Sequence, residues 1–250
     1  MNKYIKAIFI IVAVLAVAEF FIWLFGVPAY IFPRPSDVLQ ATYTNANLLF
    51  SNFLITLAEA SLGFIIANLI SVALAFTIYF YPRIENYVIS SGVVLKTIPI
   101  IALTPLLIIW LGPGITSKIA TAALICFFPA LVSMTRGMKS LETDYKDLFK
   151  LYSASKRKQI KLLLLPGSVP FLISSLKISS SLAVVGALVG EFIGANKGLG
   201  FVIIVNYYNF DVPLVFAAIA LSSLMGLGFY YLLDLLESKI YRRETVSSDF

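Results

Sequence analysis

Apolar residues in this chain come in blocks of about twenty, separated by short charged or proline- and glycine-bearing stretches. A hydrocarbon layer about 30 Å thick takes roughly 20 apolar residues to cross at about 1.5 Å per helical residue. With the blocks bounded by charges, the pattern predicts six membrane-spanning helices. They are Ile5–Phe25, interrupted by Glu19; Ala60–Pro82; Thr97–Ser117, with Tyr87–Leu95 as a possible earlier start; Ile119–Thr135; Leu162–Gly190, interrupted by Lys177; and Val212–Leu233. The first block follows Lys3 and Lys6, and Val27-Pro28-Ala29 loosely fits a signal-peptide cleavage site. The block is longer than a signal's apolar region and holds an acid, so an uncleaved helix is expected.

The connections differ in kind. Phe32-Pro33-Arg34-Pro35-Ser36-Asp37 reads as a proline-stiffened turn with a cap ahead of a short helix. Residues 82–86 and 111–117 read as short turns. The stretch from Arg136 to about Pro166 is longer and charged. No 20–50-residue repeat interrupts the pattern.

Composition agrees with this pattern: 60% of the 250 residues are hydrophobic and 13% charged, with a mean hydropathy of +0.93. Soluble domains carry about 45–50% apolar and about 25% charged residues. One integral membrane domain over 1–250 is expected, with nothing left for a soluble catalytic domain. The chain has no histidine and one cysteine, Cys126. Imidazole catalysis, histidine–metal chemistry and intrachain disulfides are thereby excluded, and Cys126 reads as a small buried hydrophobe.

Charge sets the orientation. With the N-terminus in the cytoplasm, 14 of the 19 lysines and arginines fall inside and three, Arg34, Lys118 and Lys197, fall outside. Lys96 and Lys177 fall within spans. The positive-inside rule then puts both termini in the cytoplasm. It also accounts for the net charge of +6 without a nucleic-acid partner.

The internal loop, residues 137–165, carries a helical apolar face. Leu148, Leu151 and Tyr152 recur at i, i+3 and i+4 beside Phe149. Ser153-Ala154-Ser155 is a break, with Ser155 able to cap a second helix leading to Pro166. Such a face suits either docking in a partner's groove or packing on the protein's own helix ends. Helix, small-residue turn, helix and then Leu165-Pro166-Gly167-Ser168-Val169-Pro170 resembles the "EAA" loop of binding-protein-dependent ABC transporter permeases. Three further stretches resemble the nitrate, sulfonate, taurine and thiamine-precursor branch of that family. They are Phe32-Pro-Arg-Pro-Ser-Asp-Val-Leu39, Thr97-Ile-Pro-Ile-Ile-Ala-Leu-Thr-Pro-Leu-Leu-Ile-Ile-Trp-Leu-Gly112 and Glu191-Phe-Ile-Gly-Ala-Asn-Lys-Gly-Leu-Gly200. The family's Glu-Ala-Ala aligns with Asp147-Leu148-Phe149 and its loop glycine with Ser153. The acid is kept in type and the alanines become bulky, which implies a matched ATPase with a wider groove.

The resemblance implies an all-α, type I ABC importer permease fold, with a coupling helix that inserts into an ATPase subunit. Asp147, Leu148, Phe149, Tyr152, Ser153, Ala154 and Ser155 are its expected coupling residues, with Leu148 and Phe149 as the main contacts. The chain contains no phosphate-binding loop, so ATP and Mg are expected on the partner, with no cofactor on this chain. Expected partners are a second permease subunit, two ATPase subunits and an extracytoplasmic binding protein, in a prokaryotic cell membrane.

Candidates for the translocation path come from residues that are costly or unusual in a span. Lys96 and Lys177 require a wet cavity, an acid or a route to the interface. Pro99 and Pro105 are expected to kink the third helix and free carbonyls. Gly186, Gly190 and Gly194 share one helical face, with Gly198 following at the same spacing. They allow a narrow seam at the path, or ordinary packing within the subunit. Glu191, with Asn196 after it, reads as an interfacial anchor or part of an external gate. Glu19 is expected to face other helices. The function implied is passage of a small solute, a sulfonate-, nitrate- or taurine-like anion or a pyrimidine or vitamin precursor. A secondary transporter with its own ion coupling is the alternative, although one clear intramembrane acid and no repeat speak against it.

Overall fold

The structure, a computed structural model, describes residues 3–140, 149, 151–152 and 155–247. Among these residues it consists of helices and turns, with no strand. The helices are α1 (Lys3–Leu24), α2 (Pro35–Thr44), α3 (Ala46–Phe80), α4 (Glu85–Thr97), α5 (Ile100–Leu111), α6 (Ile115–Lys139), the short α7 (Lys156–Gln159), α8 (Leu165–Gly194), α9 (Leu199–Tyr208) and α10 (Val212–Ser247).

Four stretches are long and apolar enough to cross a membrane: α3, α6, Arg157–Gly194 and Val212–Ser238. The pair Pro82–Thr97 and Ile100–Leu111 makes a fifth when taken as one span. Helix α1 supplies a shorter apolar stretch, Phe9–Leu24.

Three boundaries differ from the sequence pattern. The second span begins at Ala46 rather than Ala60, because Glu59 lies inside the helix and is buried. The third is two helices bent by 98° instead of one kinked helix over Thr97–Ser117. Pro99 forces Ile98 into extended backbone (φ −74°, ψ 124°), which ends α4 and restarts the helix as α5. Pro105 sits within α5. The fourth span starts at Ile115, so Lys118, expected in an external turn, lies in the first turn of α6.

The core is a sandwich of α3, α6 and α8, with α6 in the middle. Lipid offers apolar side chains no gain on burial against another helix, so close backbone approach decides the packing. Ala122 of α6 lies between Gly63 of α3 and Gly186 of α8. A Cβ on Gly186 would stand 2.5 Å from Ala122 Cα, and one on Gly63 2.5 Å from Ala122 Cβ. Side-chain hydrogen bonds cross the same seam. Ser71 Oγ donates to Phe127 O at 2.9 Å, Asn68 Nδ2 to Ser179 Oγ at 3.1 Å, and Cys126 Sγ to Ser179 O at 3.2 Å. Cys126 is fully buried.

The proline-stiffened turn leads into α2, as its pattern implies. Glu19 of α1 accepts from Ser36 N at 3.0 Å and Ser36 Oγ at 2.7 Å, which fastens α1 to the first turn of α2. Ahead of α7, Ser155 Oγ accepts from Lys158 N at 3.4 Å. A π-helical turn, Ile160–Leu164, precedes Pro166, so the proline sits in the first turn of α8 and does not end the helix.

Candidate functional site

The deepest polar cluster lies where α3, α6, α8 and the α8–α9 turn meet. Glu191 is 1% exposed, Lys118 2% and Glu59 3%. Gly198, Leu199 and Gly200 open α9, and their N–H groups have no partner within that helix. Each is met by a side chain from another helix. Gly198 N donates to Asn52 Oδ1 at 2.6 Å, Leu199 N to Thr56 Oγ1 at 2.8 Å, and Gly200 N to Glu191 Oε2 at 2.5 Å. Thr56 Oγ1 in turn donates to Glu191 Oε1 at 2.7 Å. The carboxylate therefore faces the positive end of the α9 dipole. Gly198 holds φ +107°, and a side chain there would run into the Glu191 carboxylate, so the turn requires glycine.

Lys118 closes the other side. Its Nζ donates to Pro113 O at 2.5 Å and Gly194 O at 2.7 Å, joining the α5–α6 turn to the end of α8. The Glu59 carboxyl meets that of Glu191. Among the described residues, Glu59 Oε2 is the one buried side-chain oxygen or nitrogen without a hydrogen-bond partner. Nothing in the hydropathy pattern marks Glu59 or Lys118 as buried: each stands at the edge of an apolar block, where a boundary charge and a buried one look alike. Among the described residues no three His, Cys, Asp or Glu side chains converge as a metal site.

The second feature is the α4–α5 break. A cavity of about 470 Å³ opens beside it, lined by Gly92, Lys96, Pro99, Leu103, Leu124, Phe128 and Leu182 among others. Lys96 Nζ stands 5.9 Å from the centroid of the Phe128 ring. Pro105, six residues further on, is not part of this lining.

The sequence matches the family described as "Binding-protein-dependent transport system inner membrane component" over residues 62–242. The chain belongs to that family. As a member it is a permease, the membrane-spanning and non-catalytic component of a transporter. Among its relatives, the formylaminopyrimidine transport permease protein ThiX of Halalkalibacterium halodurans is 37% identical, covering 80% of this chain and 81% of that one. The riboflavin transport system permease protein RibX of Chloroflexus aurantiacus is 32% identical over 88% of this chain and 82% of its own. The fold matches the MetNI methionine ABC transporter in an inward-facing conformation with a TM-score of 0.63, at 16% identity, over 81% of this chain and 96% of that one.

The permease's remaining candidate residues fall in different places. Lys177 donates to Asp234 Oδ1 at 2.6 Å and to Glu237 Oε2, both on α10, so two carboxylates balance its charge. Gly186 packs on Ala122, Gly190 on Lys118 and Gly194 on Ile108, all within the subunit. Asn196 lies in the turn between α8 and α9. Of the expected coupling residues, Asp147, Leu148, Ser153 and Ala154 lie outside the described residues. Phe149 is half-buried and lines a cavity of about 400 Å³ with Ala75, Ile78, Pro82, Met138 and Leu163, at the loop-side ends of α3 and α6. Leu151 and Tyr152 stand 82% and 77% exposed, and Ser155 is exposed.

Proposed function

We propose that this permease forms half of the translocation path of an ATP-driven importer in a prokaryotic cell membrane. It pairs with a second permease subunit, takes a small solute from an extracytoplasmic binding protein, and releases it to the cytoplasm. The solute is a sulfonate-, nitrate- or taurine-like anion or a pyrimidine or vitamin precursor. The observation that carries this reading is the family match across 62–242, supported by a broken span with an adjoining cavity. In this reading residues 1–250 act as one permease domain with six spans and both termini in the cytoplasm, α1 being the sixth span.

ATP and Mg belong to two partner ATPase subunits, and this chain carries no cofactor. Loop 137–165 receives the ATPase. The half-burial of Phe149 against the permease's own helices supports a division of labour. Phe149 roots the coupling segment, and exposed Leu151 and Tyr152 carry the contact. Closure of the ATPases then rocks the helix bundles between inward- and outward-open states. The Asn52–Thr56–Glu191–Lys118 network ties α3, α6, α8 and α9 together, so these helices move as one body.

The test is co-purification from membranes. An ATPase subunit should accompany the chain, and the chain freed of that subunit should hydrolyse no ATP. Ion-driven solute uptake by the isolated chain would replace this reading with a secondary transporter.

A further inference from the structure

We infer that Lys96 sets the charge preference of the path: the cavity it shares with Phe128 takes the hydrogen-bond-accepting end of a small anionic or uncharged solute and refuses cations. The inference rests on the proposed reading of α4 and α5 as path-lining helices.

The argument starts from depth. Lys96 lies eleven residues into α4, roughly 16 Å from its start at Glu85. Phe128 lies roughly 20 Å from the start of α6 and roughly 16 Å from its end, so the pair sits midway along the bundle. A cation at that depth is costly unless it meets water, an acid or a ligand.

The two lysines that the sequence pattern places inside spans resolve this differently. Lys177 has two carboxylates. Among the described residues, Lys96 has no carboxylate within ion-pair distance and no acid lines its cavity. Its described contact is the face of Phe128 at 5.9 Å, near the outer limit for a cation–π attraction. The Nζ donors thus remain available to an occupant. Position adds to this: Lys96 lies in the last turn of α4, where the negative end of the helix dipole favours a cation. The bend at Ile98–Pro99 turns α5 away and opens the space in front of it. Leu103, Leu124, Phe128 and Leu182 make the rest of the wall apolar. A solute that fits has an electron-rich acceptor at one end, a carboxylate, a sulfonate or a ring carbonyl, and an apolar body. A fixed positive charge with low-dielectric walls raises the local concentration of anions and lowers that of cations.

The experiment uses the full chain in membranes with Cys126→Ser and a reporter, Leu124→Cys, in the cavity wall. Rates of modification by the anionic sulfonatoethyl and the cationic trimethylammonioethyl methanethiosulfonates are compared, each normalised to a free thiol in solution. The normalised ratio should favour the anion by roughly tenfold or more. It should fall to about one in Lys96→Gln and persist in Lys96→Arg. Equal rates with Lys96 present overturn the inference and leave the path reading standing, since both reagents still arrive. No reaction with either reagent overturns the path reading and the inference with it. Slowed labelling by butanesulfonate identifies an anionic acceptor, and by uracil an uncharged heterocycle; both support the inference. Protection by choline equal to these overturns it.

Discussion

Thr56 shows how much a single hydroxyl can organise. It is fully buried, donates to Glu191 Oε1 and accepts from Leu199 N. Valine has nearly the same shape and can do neither, leaving a buried carboxylate oxygen and a helix-opening N–H unpaired. An unsatisfied buried polar group costs about 1–3 kcal/mol. Thr56→Val should therefore destabilise the protein by about 2–4 kcal/mol. Thr56→Ser keeps both bonds and loses one methyl, for about 1 kcal/mol. Unfolding of the purified variants in the same detergent ranks them; a serine variant as damaged as the valine one would place the methyl, not the hydroxyl, at the centre of this cluster. Glu191 was legible in the sequence as a notable acid at the end of a span. Thr56, Asn52 and Glu59 were not, because threonine and asparagine in an apolar run carry no periodic signal and Glu59 resembles a boundary charge.

At the scale of elements, the packing of α6 against α8 depends on how closely two backbones approach. Gly186→Ala places a methyl against Ala122 Cα, and relief requires the helices to separate. Overpacking of this kind costs about 1–3 kcal/mol. Gly228→Ala in α10 meets nothing within 4 Å and should be neutral or stabilising by up to about 1 kcal/mol, through helix propensity. Comparing the two variants by thermal unfolding isolates the contact from the propensity; equal stabilities would remove the glycine seam from the account. Glycines four residues apart could be read from the sequence, but whether their face met a neighbour in the same subunit required knowing where α6 runs.

The coupling segment belongs to the same scale. Leu151→Ala and Tyr152→Ala should each weaken ATPase association by about tenfold, since an interface anchor contributes more than about 1.4 kcal/mol, or one decade of affinity. Phe149→Ala should lower stability while its folded fraction still binds the ATPase. Co-purification and melting measured on the same three variants separate the roles. Lost association at unchanged stability in Phe149→Ala would move that residue to the interface. The helical spacing of the segment was readable, but Phe149, Leu151 and Tyr152 are all large and apolar, and only the position of α3 and α6 shows which of them is covered.

For the whole molecule, topology is the prediction that reaches furthest. Counting Arg136 with the loop 137–165, eight lysines and arginines follow the fourth long apolar block, which puts the loop in the cytoplasm. A cysteine at exposed Ser155, in a Cys126→Ser background, should react with a membrane-impermeant thiol reagent only after the cytoplasmic side is opened. Labelling in intact cells would invert the arrangement and remove the loop from any cytoplasmic ATPase.

Membrane residence, helical class and family came from the sequence alone, and the orientation predicted above rests on it too. They depend on quantities summed over many residues: apolar length against bilayer thickness, the bias of positive charge between loops, and motifs in a fixed order. Errors at single positions average out in such sums. The tertiary structure decided what depends on single contacts between distant segments. Pro99 could have kinked a helix or broken it; in the structure Ile98 is extended and the two helices meet at 98°. Lys118 and Glu59 could have marked the ends of spans; burial against Glu191 and the α8–α9 turn made them part of the core. Lys96 and Lys177 looked alike as cations inside apolar blocks. They differ because α10 brings Asp234 and Glu237 to one, and the other faces a cavity with no acid among the described residues of its lining. A buried charge is set by its partners, and those partners lie up to 135 residues away along the chain.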